Sequence, residues 1–372
     1  MKIVVISAAP FIEKEGCYQA YSPYVKELAI WEKHSGEMAF FCPIWESDNG
    51  LLIAPIPFRV SKLFLAKEFN IKTFANFIKA IQYSFSNFYQ LFKAMAWAEH
   101  IHLRCPGNIG LMGCIVQIFF PGKPKTAKYA GNWDPNSKQP WSYKLQQWIL
   151  SNTFLTKNMQ VLVYGEWEGS SPNIKPFFTA TYTEADKIPV QPRSLDDKIS
   201  IVYVGTLTSG KRPLYAIKLV EELLKSHPNI EFSMYGNGNQ KEELQQYIHD
   251  HQLEKAVFLK GNFPQDAMKK IYQEAHFLLL PSESEGWPKV VAEAMFWGCL
   301  PIATKVSCVP NMLDYGKRGV LLSMQFEEDV TSVSSLIQNP SAYIDKVQQS
   351  IVWSRKYTLD LFENEIKTLL QS

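Results

Sequence analysis

The sequence lacks a long hydrophobic run: no stretch reaches the roughly 18 apolar residues that suggest a membrane-spanning helix. The nearest candidate, GLMGCIVQIFF at 110–120, is interrupted by Gln117. The apolar stretch at the N-terminus ends at Pro10, which is too short for the core of a signal peptide and predicts a first β-strand. We therefore expect a cytoplasmic protein without a membrane span.

The sequence also has little net charge and few cysteines. Its 38 basic and 36 acidic side chains leave a formal charge of +2, so we expect no nucleic-acid partner. The six cysteines lie far apart without the spacing of a metal site, and we interpret them as reduced packing residues. His100 and His102 alternate along one strand with Arg104, but without an evident third ligand they are interpreted as packed or surface histidines rather than as a metal pair.

Short apolar runs alternate with segments of helical period along all 372 residues, which predicts parallel β-sheets built from βαβ units. The first half has six candidate strands: KIVVISA, EMAFFCPI, LLIAPIPF, HIHLRC, TAKYAGN and MQVLVYG. The second half has six more: SIVYVG, IEFSMYG, AVFLKG, HFLLLPS, LPIAT and RGVLLS.

The alternation pauses at 183–198, where prolines and charged residues predict a linker between two doubly wound α/β domains. We place the first domain at 1–188 and the second at 198–356, followed by a C-terminal segment at 357–372. The carboxyl ends of both sheets would then face a cleft, where loops and helix N-termini converge on a ligand.

Two loops of the second domain carry chemistry suited to an anion. GTLTSGKRP (205–213) places Lys211 and Arg212 at the start of a helix, which favours phosphate binding, although a solvated basic turn fits equally well. MYGNGNQKEEL adds Gly236 after the next strand, a weaker signal by itself.

A third loop, PSESEGWPKVVAEAM (281–295), leads from an apolar strand into a helix that should begin near Pro288 and end at Gly298. Glu285 would lie in the loop and Glu293 in the helix among apolar neighbours. A carboxylate in such surroundings needs a partner. The vicinal hydroxyls of a ribose would supply one, but a lysine or a capped loop would as well.

These loops together resemble the retaining GT-B glycosyltransferases of family 4, whose EX7E motif matches EGWPKVVAE (285–293). GTLTSGKRP is similar to the phosphate loop of that family, and the resemblance extends over about 200–325. KYTLDLFENEIKTLL resembles its C-terminal helix, which crosses back to the first domain. The first 190 residues fit the family only in their α/β rhythm.

The resemblance implies a metal-independent hexosyltransferase that needs no cofactor and acts in surface polysaccharide or lipopolysaccharide biosynthesis. A UDP- or GDP-sugar would be the donor, and a saccharide or lipid-linked glycan the acceptor. Lys211 would neutralise the donor diphosphate, Glu293 would hold the ribose, and Glu285 would orient the sugar with the backbone of Gly286 and Trp287. The implied donor site also includes Gly205, Thr206, Arg212, Gly236, Asn262 and Phe263.

The sequence departs from that family at two positions of the donor site. Thr206 stands where the family has arginine, and Pro288 where it has a glycine. These departures leave two alternatives open: a nucleotide-sugar epimerase of the same fold, and a catalytically silent glycan-binding or nucleotide-binding protein. On the acceptor side, Asn132 and Asp134 in YAGNWDP are candidate catalytic residues, with an Asx turn as the competing interpretation.

The segment 59–97 combines five lysines with phenylalanines at helical spacing, a pattern of helices that lie in a membrane interface. Packing against the first-domain sheet would explain most of the same aromatics. We therefore carry forward, as a hypothesis, peripheral contact of this segment with the inner face of the plasma membrane.

Overall fold

The computed structural model describes residues 1–14, 16–50, 52–68 and 74–371, with the backbone alone for 74–82. The chain folds into two compact units. Unit 1 comprises Met1–Phe177 together with Glu363–Ser372, and unit 2 comprises Phe178–Phe362.

Unit 1 is built on a parallel sheet of seven strands in the order β11-β10-β9-β8-β1-β4-β7. Residues 3–6 of its central strand are fully buried, as expected for an apolar strand covered on both faces. The elements in chain order are β1 (Lys2–Ile6), β2 (Phe11–Lys14), β3 (Cys17–Tyr21), α1 (Ser22–Lys33), β4 (Glu37–Cys42), β5 (Ile44–Trp45), β6 (Ile53–Pro55), β7 (Val60–Leu65), α2 (Phe74–Trp97), β8 (His100–Cys105), α3 (Asn108–Val116), β9 (Lys125–Tyr129), α4 (Trp141–Ser151), β10 (Met159–Tyr164) and β11 (Ile174–Phe177).

The prediction of a strand of the large sheet at 51–58 is wrong. Ile53–Pro55 instead pairs in a small four-stranded sheet with the order β5-β2-β3-β6, and Val60–Leu65 takes the edge of the large sheet. An edge strand is only half-buried and carries no continuous apolar run, so the pattern of 60–65 did not reveal it. The hairpin of β2 and β3 and the edge strand β11 were also missed, because such short strands carry little periodic signal.

Unit 2 contains a six-stranded parallel sheet, and all six strands predicted for the second half are present. Its elements are β12 (Ile199–Val204), α5 (Pro213–Leu224), β13 (Ile230–Tyr235), α6 (Lys241–Asp250), β14 (Val257–Gly261), α7 (Gln265–Glu274), β15 (Phe277–Leu280), α8 (Lys289–Phe296), β16 (Leu300–Thr304), α9 (Val309–Met312), β17 (Val320–Leu322), α10 (Phe326–Ile337), α11 (Pro340–Ser354) and α12 (Leu359–Gln371), of which α12 continues into the residues of unit 1.

The strand order of unit 2, β14-β13-β12-β15-β16-β17, is the doubly wound Rossmann order. The large sheet of unit 1 has the same winding, since its chain runs outward from β1 to β7 and then returns to the other side at β8. The predicted fold class of two Rossmann-like α/β domains is therefore confirmed. In each unit the winding reverses at one point, between β12 and β15 and between β1 and β8, and ligands bind at the carboxyl ends of strands beside such points.

Candidate functional site

The reversal of strand order in unit 2 brings two of the predicted loops side by side. β12 pairs with β15, so the segment 205–212 that follows β12 lies next to the segment 281–288 that follows β15. The backbone N–H of Glu283 donates to the carbonyl of Gly210 at 2.8 Å and joins the two loops. Residues about 70 positions apart in sequence thus share one edge of the sheet.

Glycines allow the loops after β12 and β13 to pack backbone against backbone. A Cβ on Gly236, whose φ is +150°, would lie 1.8 Å from the carbonyl oxygen of Gly205. A Cβ on Gly238 would lie 2.2 Å from the carbonyl oxygen of Leu207. The Gly-x-Gly pair, a weak signal in the sequence, therefore marks a close approach that no other residue type permits.

A cavity of about 250 Å³ opens where these loops meet the end of β14. Five of the predicted donor-binding residues line it, together with Met268 from α7. The lining residues are Val204, Gly205, Thr206, Tyr235, Gly236, Asn237, Asn262, Phe263 and Met268. The ring of Phe263 is 45% exposed and meets Tyr235 edge-on, with 5.2 Å between the ring centroids, so it presents an aromatic surface at this cavity.

Lys211 and Glu285 form an ion pair across the two joined loops, with 2.5 Å between Nζ and Oε1. The carboxylate side chain is 9% exposed and the lysine side chain 29% exposed. The hydroxyl of Tyr203 donates to the carbonyl of Thr206, in the loop that carries Lys211. Burial, followed by the charge of Glu285, raises the pKa of the Tyr203 phenol. The predicted anion loop and the predicted carboxylate therefore meet in the fold.

Arg212 contributes less to this arrangement. It has a left-handed backbone with φ of 50° at the start of α5, and its Nη2 lies 4.0 Å from an oxygen of Glu283, whose side chain is 65% exposed. An exposed pair at that distance adds little free energy. Lys211 is therefore the better-placed cation of the two.

The loop 305–308 supports the segment that carries Glu285. Ser307 Oγ and Cys308 Sγ both donate to the carbonyl of Gly286, at 3.2 Å and 3.0 Å. Burial raises the pKa of the Cys308 thiol to about 12, so it stays a neutral donor. Trp287 stacks near Trp353, with 6.2 Å between the ring centroids. Ser307 and Cys308 thus hold the loop that carries Glu285 in place.

Glu293 lies in α8 and accepts hydrogen bonds from two hydroxyl groups. Thr181 Oγ1 donates to Oε1 at 2.7 Å, and the Tyr272 hydroxyl lies 3.4 Å from Oε2. Burial, followed by the charge of Glu293, raises the pKa of Tyr272. Tyr272 stands one turn of α7 beyond Met268, which lines the cavity. The sequence offered a bound ribose, a lysine or a capped loop as the partner of this carboxylate and did not identify Thr181 or Tyr272.

Asn132 and Asp134 lie in unit 1, in the loop after β9. Asn132 Oδ1 accepts from the backbone N–H of Asp134, and Asp134 Oδ1 accepts from that of Asn136, both at 2.9 Å. These are the contacts of successive Asx turns. The competing interpretation thus accounts for the local geometry, and a catalytic role for these two residues stays a prediction.

His100, His102 and the cysteines, which could suggest a metal site, lie in the protein interior except for Cys17. His100 and His102 are buried, and both contact Thr126 Oγ1. None of the six cysteines forms a disulfide, and five of them are buried. Within the described ranges there is no group of three His, Cys, Asp or Glu side chains that could hold a metal ion. Among those same residues, no helix has the length and hydropathy of a membrane span.

Comparison with solved structures identifies the fold of the chain. Its structure aligns over 100% of its length with a lipopolysaccharide outer core galactosyltransferase, WaaB, at a TM-score of 0.68 and 17% identity, covering 99% of that chain. It aligns equally fully with Anabaena HepE in complex with UDP and glucose, at a TM-score of 0.67 and 13% identity, covering 100% of that chain. At these identities the likeness shows the fold, which is that of GT-B glycosyltransferases.

Residues 184–346 match the family Glycosyl transferases group 1, which identifies a domain of that type in unit 2. A relative of known function is the phosphatidylinositol N-acetylglucosaminyltransferase GPI3 subunit of Saccharomyces cerevisiae. The two are 26% identical over 184 residues, which are 45% of this chain and 39% of the yeast protein. The chain thus spans about two fifths of the length of this relative.

Proposed function

We propose that this protein transfers a sugar from a nucleoside diphosphate sugar to a hydroxyl of a saccharide or lipid-linked glycan, with retention of anomeric configuration. Two observations carry the proposal: the cavity at the ends of β12, β13 and β14, and the ion pair that Lys211, in the loop after β12, forms with Glu285. Glycine loops, an aromatic ring and a cation at the carboxyl edge of a Rossmann sheet together suit a nucleotide with its phosphates.

Each proposed role follows from the chemistry of the side chain. The bond between the sugar and the diphosphate oxygen breaks as a bond to the acceptor oxygen forms, and the leaving diphosphate gains negative charge and takes up the proton of the acceptor hydroxyl. Lys211 would stabilise that charge, and Glu285 orients its ammonium group. Glu293 would hold the ribose by exchanging for its hydroxyls those of Thr181 and Tyr272, from which it accepts in this structure. Phe263 would stack on the base.

Nucleotide binding gives the direct test. Uridine diphosphate is the first ligand to try, since HepE was crystallised with UDP and glucose, and GDP is the second. We expect one of them to raise the Tm of the chain in a dose-dependent manner. Replacing Phe263 with alanine should weaken that binding by about tenfold through loss of stacking. Tyr315→Ala, at a 70% exposed aromatic of the same unit, is the matched control and should bind as the wild type does.

Product analysis separates the proposal from its alternatives. A transferase releases nucleoside diphosphate in proportion to the acceptor that it glycosylates, whereas an epimerase returns an isomeric nucleotide sugar. A silent binding protein would bind the nucleotide but show no donor hydrolysis. Failure of both UDP and GDP to bind, with the chain folded, would contradict the transferase and the epimerase and leave only a glycan-binding protein.

We also propose that unit 1 contacts an anionic membrane surface, on which a lipid-linked acceptor would be presented. The outer face of α2 exposes Phe85, Tyr89 and Phe92, whose side chains are 75%, 59% and 48% exposed. The spacing of these three residues places them on one side of the helix. Lys93 lies 4.3 Å from the ring centroid of Tyr89. The ring of Phe92 also contacts that of Phe120, which follows α3 in the chain.

The charge of the surrounding segment suits an anionic partner. Residues 69–165 contain ten lysines or arginines but only two acids, Glu99 and Asp134, although Lys125, Lys128 and Arg104 among them are buried or paired in the sheet. Lysines next to exposed aromatic rings are typical of surfaces that bind the headgroup region of a bilayer. Lys72 of the segment 59–97 lies outside the described residues, and the structure describes no side chains for 74–82, so the proposal depends on the second half of α2.

Vesicle sedimentation tests this contact. We expect binding to phosphatidylcholine vesicles that contain phosphatidylglycerol at low salt, and loss of binding as salt screens the lysines. Phe85→Ser with Phe92→Ser should reduce binding by about tenfold, because the apolar contribution is lost. Tyr315→Ser in unit 2 serves as the control. Equal binding by the double variant and the wild type, or no binding by the wild type at low salt, would refute the contact.

A further inference from the structure

Unit 1 contains a group of charged side chains, next to its own reversal of strand order, that no role proposed so far uses. Glu27 of α1 accepts from Arg104 Nη1 at 2.6 Å and from Lys128 Nζ at 2.8 Å. Two cations therefore share one carboxylate, and we call these three residues the Glu27 cluster. Lys128 is 2% exposed and Glu27 11% exposed, whereas Arg104 is 18% exposed.

The sheet determines where this cluster lies. Arg104 and Lys128 are register partners on the neighbouring parallel strands β8 and β9, and each is the penultimate residue of its strand. Both therefore stand at the carboxyl edge, and β8 is a strand of the reversal between β1 and β8. Ligand sites form at this edge of a doubly wound sheet. The cluster occupies in unit 1 a position similar to that of the Lys211–Glu285 pair in unit 2.

Two neighbouring titratable groups, His102 and Tyr24, add no charge to this cluster. The ring of His102 packs against Trp31 with 4.1 Å between ring centroids. Burial lowers the pKa of the His102 imidazole well below its usual value. The ring of Tyr24 lies 4.5 Å from the Arg104 guanidinium carbon, and burial raises the pKa of its phenol. Both side chains are neutral near pH 7. The cluster with these neighbours thus carries a formal charge of about +1.

Arg104 is also oriented to use that charge. Within the described residues its guanidinium donates one hydrogen bond, from Nη1 to Glu27, while the Tyr24 ring supports its face. The donors on Nε and Nη2 stay available for a ligand at the exposed side. Helix α3 begins at Asn108, four residues beyond Arg104, without a side-chain cap, so backbone N–H groups stand at the same edge.

We propose that the Glu27 cluster binds a phosphate ester, with Arg104 as the group that contacts it. Glu27 and Tyr24 hold the Arg104 guanidinium in one orientation, and Lys128 on the neighbouring strand adds a second positive charge. A phosphate offers several acceptor oxygens to the planar fork of an arginine and to backbone N–H groups. This inference rests on the proposed function, because it makes the acceptor of the transferase a phosphate-bearing one. The binding itself can be measured without any transfer reaction.

The experiment uses the full chain with UDP at saturation, so that phosphate has to bind outside the nucleotide site. Glycerol phosphate is titrated calorimetrically, with glycerol as the neutral comparison. Vesicles with phosphatidic acid are compared with vesicles of matched surface charge that contain phosphatidylglycerol. Binding of glycerol phosphate alone identifies a soluble ester as the source, and preference for phosphatidic acid identifies a lipid headgroup. Either result supports the site.

Arg104→Gln should weaken phosphate binding by about tenfold or more, since hydrogen bonds to a charged group are lost. Arg104→Lys, which keeps the charge but loses the fork, should bind with intermediate affinity. Arg59→Gln, at an exposed arginine of the same unit, should leave binding unchanged. A thermal unfolding curve of each variant that matches the wild type shows that both units are folded. Wild-type affinity in both Arg104 variants would overturn the proposal, as would a wild type that binds neither probe. If UDP does not bind but phosphate binding depends on Arg104, the phosphate site stands and the transferase proposal falls.

Discussion

Replacing Lys211 with methionine is expected to lower kcat for sugar transfer by about 10²- to 10³-fold, the loss seen when one group that stabilises a developing negative charge is removed. The lysine is the partner of Glu285, and its loss also leaves a 9% exposed carboxylate without this cation. Because the lysine is 29% exposed, solvent screens the pair, and we expect the free energy of unfolding to fall by only about 1–2 kcal/mol. Single-turnover kinetics and denaturant titration measure the two effects separately.

The double variant Lys211→Met with Glu285→Gln distinguishes catalysis from stability. It removes the unpaired charge, so we expect stability near that of the wild type while activity stays low. Lys255→Met, at an exposed lysine of the same unit between α6 and β14, is the control and should change neither quantity. A Lys211→Met protein that transfers sugar at nearly the wild-type rate would show that this cation does not act on the leaving group.

Replacing Gly236 with alanine should have the largest effect on the structure of the site. The new Cβ would lie 1.8 Å from the carbonyl oxygen of Gly205, and the obstacle is backbone, which cannot rotate away. The loops after β12 and β13 must then separate. We expect the free energy of unfolding to fall by about 3 kcal/mol or more, the upper part of the range for overpacking. Nucleotide binding should be lost with it, because Gly205 and Gly236 both line the cavity.

Gly210→Ala is the matched control for this substitution. Gly210 lies in the same loop as Gly205, and a Cβ added there meets no atom within 4 Å. Its stability should stay within about 0.5 kcal/mol of the wild type. If Gly236→Ala were as stable as Gly210→Ala and bound nucleotide normally, the close packing of the two loops could not be a requirement of the site.

Much of the fold could be predicted from the sequence because parallel strands buried on both faces leave continuous apolar runs. All six strands of unit 2 were recognisable in this way. The end of α8 was recognisable from Gly298, which follows the helix with a φ of +74°. The strands that escaped prediction in unit 1 lie at sheet edges or in the small antiparallel sheet. Val60–Leu65 is half-buried along its length, so its composition does not distinguish it from a loop.

The sequence by itself determined the local chemistry of the candidate site: a basic loop after one strand, glycines after the next, and two glutamates around a helix start. Only the tertiary structure decided which of these groups meet. Lys211 pairs with Glu285 across 74 residues and Thr181 with Glu293 across 112, because the order of strands in the sheet determines which loops are neighbours. Likewise, the Glu27 cluster joins a helix to two strands across 77 and 101 residues. Local patterns describe the face of each segment, whereas contacts between distant segments depend on how the sheet is wound.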